Sequence, residues 1–175
     1  MNARTLTLVL GLLCLACAAG PTGEFTLASR EVAEGDTLPT EYTGFGEGAT
    51  LPLEWSGAPA TTASFALVMH HVASPTDIHW YWVLYDIPAE VDSLPRNVTG
   101  VGKLGNNSVN GRMEFAPPHS QGPGPKTYTL TLYALSQEPV ITVADSLVSR
   151  AVLLDAIRDI TLDSEMLHVV YSRPE

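Results

Sequence analysis

Apolar residues up to about position 144 come in short runs separated by Gly- and Pro-rich stretches, a spacing that predicts strands rather than helices. Three runs carry the signal: SFALVMHHV from Ser64, IHWYWVLYDI from Ile78 and TYTLTLYAL from Thr127. In the last, Tyr128, Leu130 and Leu132 alternate with Thr127, Thr129 and Thr131, the period of a strand with one buried face. The middle run is apolar on both faces, as a strand covered on each side would be. Helical spacing appears only late. Ser149 is placed to cap RAVLLDAIRD, in which Ala151, Leu154 and Ile157 fall on one stripe, and a second short helical piece is expected around 164–168. The pattern predicts a mainly β sandwich or barrel with one or two short C-terminal helices. The segment GVGKLGNNSVNGR from Gly100 reads as a long loop. Asn97-Val98-Thr99 and Asn106-Asn107-Ser108 match the glycosylation sequon but read as ordinary turn residues.

Composition narrows this picture. The chain has 175 residues, which fits one domain, with 45% hydrophobic and 16% charged residues, enough apolar material for a real core. Nine basic residues face 19 acidic ones, and a net charge of −10 repels a phosphate backbone, so nucleic-acid binding is disfavoured. A single anion held in a locally positive pocket is still compatible with that charge.

The first residues stand apart from the fold. Arg4 is followed by an apolar run from Leu6 to about Ala19, shorter than the roughly 20 residues a membrane-spanning helix needs. A basic start, a short apolar stretch and then small residues make an export signal. The reading is therefore 1–19 as the signal, 20–24 as a tether and 25–175 as the domain. In one version Leu15-Ala16-Cys17 is a lipoprotein processing site and Cys17 becomes the lipidated first residue, although Cys14 stands where such sites usually carry an aliphatic. In the other, ordinary cleavage near Cys17-Ala18-Ala19 releases a free protein. Either way the expected place is the periplasm or cell envelope, with a lipid anchor in the first version. Both cysteines lie in this segment, so the domain itself has no pair for a disulfide.

Several segments, taken together and in order, resemble the phosphatidylethanolamine-binding protein family, which includes the Raf kinase inhibitor protein and bacterial relatives. FTLASREVAEGDTLPTEYTGFGEGATLPLEWSGAPATTASFAL is similar to the family's first strands, with its Pro-Leu-x-Trp signature at Pro52, Leu53 and Trp55. HWYWVLYDIPAE resembles the aromatic-histidine strand that ends in Asn-Ile-Pro. EFAPPHSQGPGPKTYTLTLYAL resembles the Gly-Pro-x-Pro loop and following strand, and SRAVLLDAIRDITLDSEMLHVVYSR the closing helix and terminal strand. The likeness runs from Phe25 to Arg173. It implies a β-sandwich with a small anion-binding pocket at one end.

At that pocket the sequence departs from the family. Its Asp-Pro-Asp-x-Pro stretch corresponds to His70-His71-Val72-Ala73-Ser74, its pocket histidine to Tyr81, and its His-x-Tyr to Lys126 and Tyr128. Pro117 and Pro118 keep part of the proline loop, while His119 and Ser120 replace or extend it. Adjacent strand residues point to opposite faces, so His70 and His71 cannot share one pocket, and the alignment puts His70 toward it and His71 away. His79 and Tyr81 share a face by the same rule, with Trp80 and Trp82 together on the other as packing aromatics. The resemblance thus implies a ligand set of His70, His79, Tyr81, Pro117, His119, Lys126 and Tyr128 around one cavity.

Those residue types suit an anion. Lys126 supplies a point charge, the two tyrosines supply hydroxyl donors, and a histidine adds a donor that becomes cationic on acidification. The partner expected is a small anionic ligand or phospholipid head group. Three imidazoles with Asp77 could in principle form a zinc set, but their spacing matches no recognised metal motif, and neither metal nor cofactor is expected. Ser74 and Ser120 lie near histidines without a Gly-x-Ser-x-Gly elbow or an orienting acid, so no enzyme activity is expected. The alternative function is a protein-interaction module inhibiting an envelope kinase or protease, with a vestigial pocket. That alternative rests on analogy of fold alone.

Overall fold

The three long apolar runs become the three central strands of one sheet, because only a strand covered on both faces can bury every residue of a continuous apolar stretch. The computed structural model describes residues 23–173 apart from Gln121; the expected export signal, Cys17 and most of the tether lie outside the described residues. The strands are β1 (Thr26–Ala28), β2 (Leu53–Ser56), β3 (Ser64–Ser74), β4 (Asp77–Pro88), β5 (Ser93–Leu94), β6 (Lys103–Leu104), β7 (Lys126–Leu135) and β8 (Thr161–Tyr171), with one α-helix among the described residues, α1 (Arg150–Ile157). A small sheet runs β1-β2-β5 and a larger one β6-β4-β3-β7-β8, with antiparallel neighbours throughout. Among the described residues no helix is long and apolar enough to cross a membrane.

Alternation along β3 sorts the layers. Phe65, Leu67 and Met69 face the small sheet, in one cluster with Leu27, Leu53, Trp55 and Leu94. Ala66 and Val68 face the other way, with Val83, Tyr85, Val148, Leu153 and Ile157 beneath α1. All five residues 65–69 are buried, and full burial of each larger side chain contributes roughly 1.5–3 kcal/mol. The result is a sandwich with a helix on its outer side, the mainly β fold that the runs predict.

Two local expectations fail. Ser149 does cap α1, its Oγ accepting from the Val152 N–H at 3.3 Å, but the buried pair is Leu153 and Ile157 while Ala151 is exposed. The run Val152-Leu153-Leu154 offers apolar side chains on several faces, so the stripe was not fixed by spacing alone. The piece around 164–168 is not helical. It lies within β8, where Leu167, Val169 and Tyr171 alternate inward and the ladder with β7 runs from Lys126↔Tyr171 to Leu135↔Thr161. Cross-strand pairing overrides weak local preference there.

β4 carries two bulges. Leu67 pairs with Leu84 but Phe65 with Ile87, so Tyr85 and Asp86 stand opposite Ala66 alone, and Asp86 takes a left-handed φ of 55°. Met69 pairs with Trp82 but His70 with Trp80, which leaves Tyr81 as an extra residue. The second bulge shapes the site.

Candidate functional site

At one end of the sandwich the inner face of the large sheet turns from apolar to polar. β3 is regular against β7 from Ser64 to His70, so the inward parity of Phe65, Leu67 and Met69 extends to His71. His71 pairs directly with His79 across β3 and β4, and both line a hollow of about 320 Å3 with Ala73, Tyr81, His119, Ser120 and Lys126. The expectation for the two adjacent histidines is therefore reversed: His71 faces the hollow and His70 does not. Both faces of β3 are apolar before it reaches them, so the sequence contains no polarity from which to read the parity.

The Tyr81 bulge corrects the tryptophans too. Tyr81 and Trp82 both join the inter-sheet cluster, whereas Trp80 packs on the outer, helix-side cluster. Trp80 and Trp82 do not share a face. An extra residue between them shifts the parity by one. The outer position of Trp80 is fixed by hydrogen bonds from its Nε1 to the Asn106 carbonyl (3.0 Å) and side-chain oxygen (3.2 Å).

Tyr128 lies behind the lining, against His71 and Tyr81, and is not itself a lining residue. It is fully buried, with its ring edge-on to Tyr81 at 4.8 Å and near-parallel to His71 at 5.5 Å. Among the described residues its buried hydroxyl has only the Tyr81 hydroxyl beside it, close enough to act on its ionisation but short of full hydrogen-bonding geometry. Burial, then Tyr81, pushes the Tyr128 phenol well above its ordinary range. Burial also raises Tyr81, with Asp77 adding and the Tyr128 hydroxyl opposing. Both phenols are neutral donors at physiological pH, so neither repels an anion.

The histidines are oriented by the backbone. His71 Nδ1 lies 2.8 Å from the Thr127 carbonyl and His119 Nδ1 lies 3.1 Å from the Pro117 carbonyl. A carbonyl only accepts, so each Nδ1 carries the hydrogen and each Nε2 is left as the free ring nitrogen. His79 Nε2 lies 3.1 Å from Asp77 Oδ1. Pro117 does not line the hollow; it acts through that carbonyl. The segment is pressed onto Gly44, whose N–H donates to the Pro118 carbonyl at 2.8 Å, and a Cβ at Gly44 would come within 2.7 Å of His119 Cβ. Lys126 Nζ reaches only the Pro123 carbonyl, at 3.5 Å, and among the described residues no carboxylate pairs with it. Among the described residues no group of three or more His, Cys, Asp or Glu is arranged to hold a metal ion.

Of the residues expected from sequence, the structure brings His79, Tyr81, His119 and Lys126 to one hollow; Tyr128 packs behind it on Tyr81, and His70 and Pro117 lie elsewhere. His71 and Ser120 join them. Two other hollows, about 340 and 460 Å3, share Arg30, Glu54 and Ser93 beside the small sheet. Their cation is already matched, Arg30 Nε lying 2.8 Å from Glu54 Oε2. Of these three hollows, the histidine-lined one alone holds a cation that, among the described residues, has no carboxylate partner.

His70 is held on the opposite face, in a cross-sheet row with Trp80, Thr129 and His168. Burial first, then the positive charges of Arg150, His168 and His71, push its pKa down to about 4. It is a neutral imidazole near pH 7, with a buried Nδ1 that has no partner among the described residues.

A β-sandwich of this order with a polar hollow at the strand ends defines a small ligand-binding domain. The sequence profile of the phosphatidylethanolamine-binding protein family matches residues 28–172, and the chain belongs to that family. It is 34% identical over 135 residues to the UPF0098 protein YbcL of Escherichia coli, covering 66% of this chain and 71% of that protein. A UPF0098 protein of Methanothermobacter thermautotrophicus is 32% identical over 102 residues, 56% of this chain and 68% of its own. The crystal structure of E. coli YbcL superposes with a TM-score of 0.77 at 26% identity, covering 87% of this chain and all of that one.

Proposed function

We propose that the chain is a binding module that holds a small anionic group, a phosphate or the phosphate of a phospholipid head, in the hollow lined by His71, His79, Tyr81, His119 and Lys126. The observation that carries the reading is Lys126, an ammonium that among the described residues no carboxylate neutralises, gathered in one hollow with His71, His79, Tyr81 and His119. Behind it the Tyr128 hydroxyl is buried beside the Tyr81 hydroxyl alone, and an imperfectly paired buried hydroxyl costs up to about 1–3 kcal/mol, which an acceptor oxygen reached through a small ring movement would recover. The family's name supports the ligand class, and the missing acids at 70–74 make the site more positive than the pattern from which it departs.

The export reading belongs to the same proposal: a protein tethered through Cys17 in the cell envelope, or released there. Phe25, the first core residue, packs on Phe65 at 6.2 Å, at the opposite end of β3 from His71. Six strand residues span about 20 Å. A tether would enter remote from the hollow, which favours a ligand taken from the aqueous side.

Phosphate and phosphoethanolamine should each raise the melting temperature, and the Lys126→Ala/Tyr128→Phe variant should lose that shift. Lipid vesicles containing phosphatidylethanolamine form the third arm. Binding to vesicles without any response to the soluble anions would sink the aqueous-side reading, and no response in any arm would sink the pocket. A diacylglyceryl mass on Cys17 in envelope fractions tests the anchor.

A further inference from the structure

The far end of the molecule carries an unfinished sheet edge. β8 is the last strand of the large sheet, and a long free edge offers unpaired backbone groups to another chain. Part of it is covered. Gly35 N–H donates to the His168 carbonyl (2.8 Å), Val170 N–H to the Asp36 carbonyl (2.8 Å) and Leu38 N–H to the Val170 carbonyl (2.7 Å). The Glu34 carboxylate takes both the His168 N–H (2.8 Å) and Nδ1 (2.7 Å). These bonds fix the direction of the even-numbered backbone groups: at 168 and 170 they point away from β7, and the regular register carries that to Met166 and Ser164.

The covering segment stops there. The Ser164 N–H is taken by the Asp163 carboxylate at 2.8 Å, but among the described residues nothing takes the Ser164 carbonyl or the Met166 N–H and carbonyl. The flanking side chains differ by face. On one face Met166 is left 52% exposed, and Leu162, 40% exposed, is the extra residue where the ladder to β7 shifts between Ala134 and Leu135. On the other face stand Asp163 and Glu165, with no cation paired to either among the described residues.

We propose that this edge, 162–166, receives an extended segment of another protein by strand addition, and that the segment alternates apolar residues with Lys or Arg. Main-chain bonds to Met166 and Ser164 supply the pairing, Leu162 and Met166 supply an apolar contact, and Asp163 and Glu165 select basic side chains. Charge opposes a second copy of this chain. Antiparallel pairing of two β8 edges about Ser164 would set Asp163 and Glu165 against the other copy's carboxylates, in a protein already at −10. Inward-facing charge on an edge strand protects against self-pairing and leaves a cationic partner free to dock.

The test is titration of the isotope-labelled protein with a capped peptide alternating Val and Lys, beside a twin with Glu in place of Lys, followed by amide chemical shifts and hydrogen exchange. The Val/Lys peptide should shift and protect Met166 and its neighbours, and the twin should bind at least 10-fold more weakly. Met166→Pro removes an outward N–H without touching the ladder to β7 and should abolish binding. Asp163→Lys/Glu165→Lys, with a wild-type amide spectrum as the check of its fold, should reverse the preference between the peptides. Equal binding of both peptides, shifts confined to other strands, or a dimer that Met166→Pro dissolves would each overturn the proposal.

Discussion

His71 stands directly opposite His79 on β3 and β4, one position past the point where the Tyr81 bulge shifts the register of the pair. Both imidazoles line the hollow, while His70, one residue earlier, faces Trp80 on the outer side. The two neighbours therefore give opposite mutational results. His71→Ala should weaken phosphate binding about 10-fold, the scale of one hydrogen bond of about 1.5 kcal/mol in which the free Nε2 accepts from a phosphate hydroxyl. His70→Ala should leave it unchanged. Isothermal titration with inorganic phosphate measures both, and an equal loss in the two variants would refute the assignment of faces.

Tyr128→Phe should separate stability from binding. Without a ligand the variant loses a buried hydroxyl that has no partner, and its stability should rise by about 1 kcal/mol, or roughly 2–4 °C in Tm. With saturating phosphate the order should reverse, because the wild type alone gains a hydrogen bond to the anion. Thermal unfolding of both proteins with and without phosphate checks the crossover. A variant less stable than wild type in phosphate-free buffer would mean that the hydroxyl is already satisfied.

The strands were legible because their apolar runs are long and bounded by Gly and Pro, and the order of segments was legible through the family resemblance. Which face each residue takes was less so. On β7 the Tyr-Thr-Leu-Thr alternation marks the inner side unambiguously, and the structure buries Tyr128, Leu130 and Leu132 as it implies. Thr131 is also buried, since the outer side of the sheet is partly covered as well. On β3 both faces are apolar, and on β4 a bulge inserts one residue between two tryptophans. Neither leaves a trace in hydropathy, so His70 and His71, and Trp80 and Trp82, could be sorted only by the pairing itself. The 164–168 stretch is too short for its period to separate helix from strand.

Asn107 ties the long loop to the site. It is buried, its Nδ2 donates to the Arg112 carbonyl (3.0 Å) and the Glu114 carbonyl (3.2 Å), and its Oδ1 accepts from the Val109 and Asn110 N–H groups (both 2.9 Å). The loop so braced donates from the Ser108 N–H to the Trp80 carbonyl and from the Ala116 N–H to the Tyr81 carbonyl, both 2.8 Å, clasping the bulge. Asn107→Ala breaks four hydrogen bonds and should cost about 2–3 kcal/mol, or roughly 4–12 °C in Tm. It should also weaken phosphate binding through misplacement of Tyr81. Loss of stability with wild-type affinity would show that the bulge holds its place without the loop.

The neutral state of His70 links folding to pH. Its folded pKa of about 4 lies below the ordinary histidine value of about 6.5, so on acidification the unfolded chain takes up the proton first. The contribution is fully present above about pH 6.5 and is lost progressively as pH falls toward 4. The ring is only partly buried and the charges of Arg150, His168 and His71 are screened, so the loss is on the order of 1 kcal/mol rather than the full value of the shift. His70→Asn keeps a polar side chain of similar reach without a titrating proton. Urea unfolding of both proteins at pH 7 and pH 4.5 cancels the carboxylates they share. The wild type should lose about 1 kcal/mol more than the variant between the two pH values. Equal losses would mean that His70 accepts its proton in the folded state as readily as in the unfolded chain, and that the cationic surroundings assigned to it are not felt.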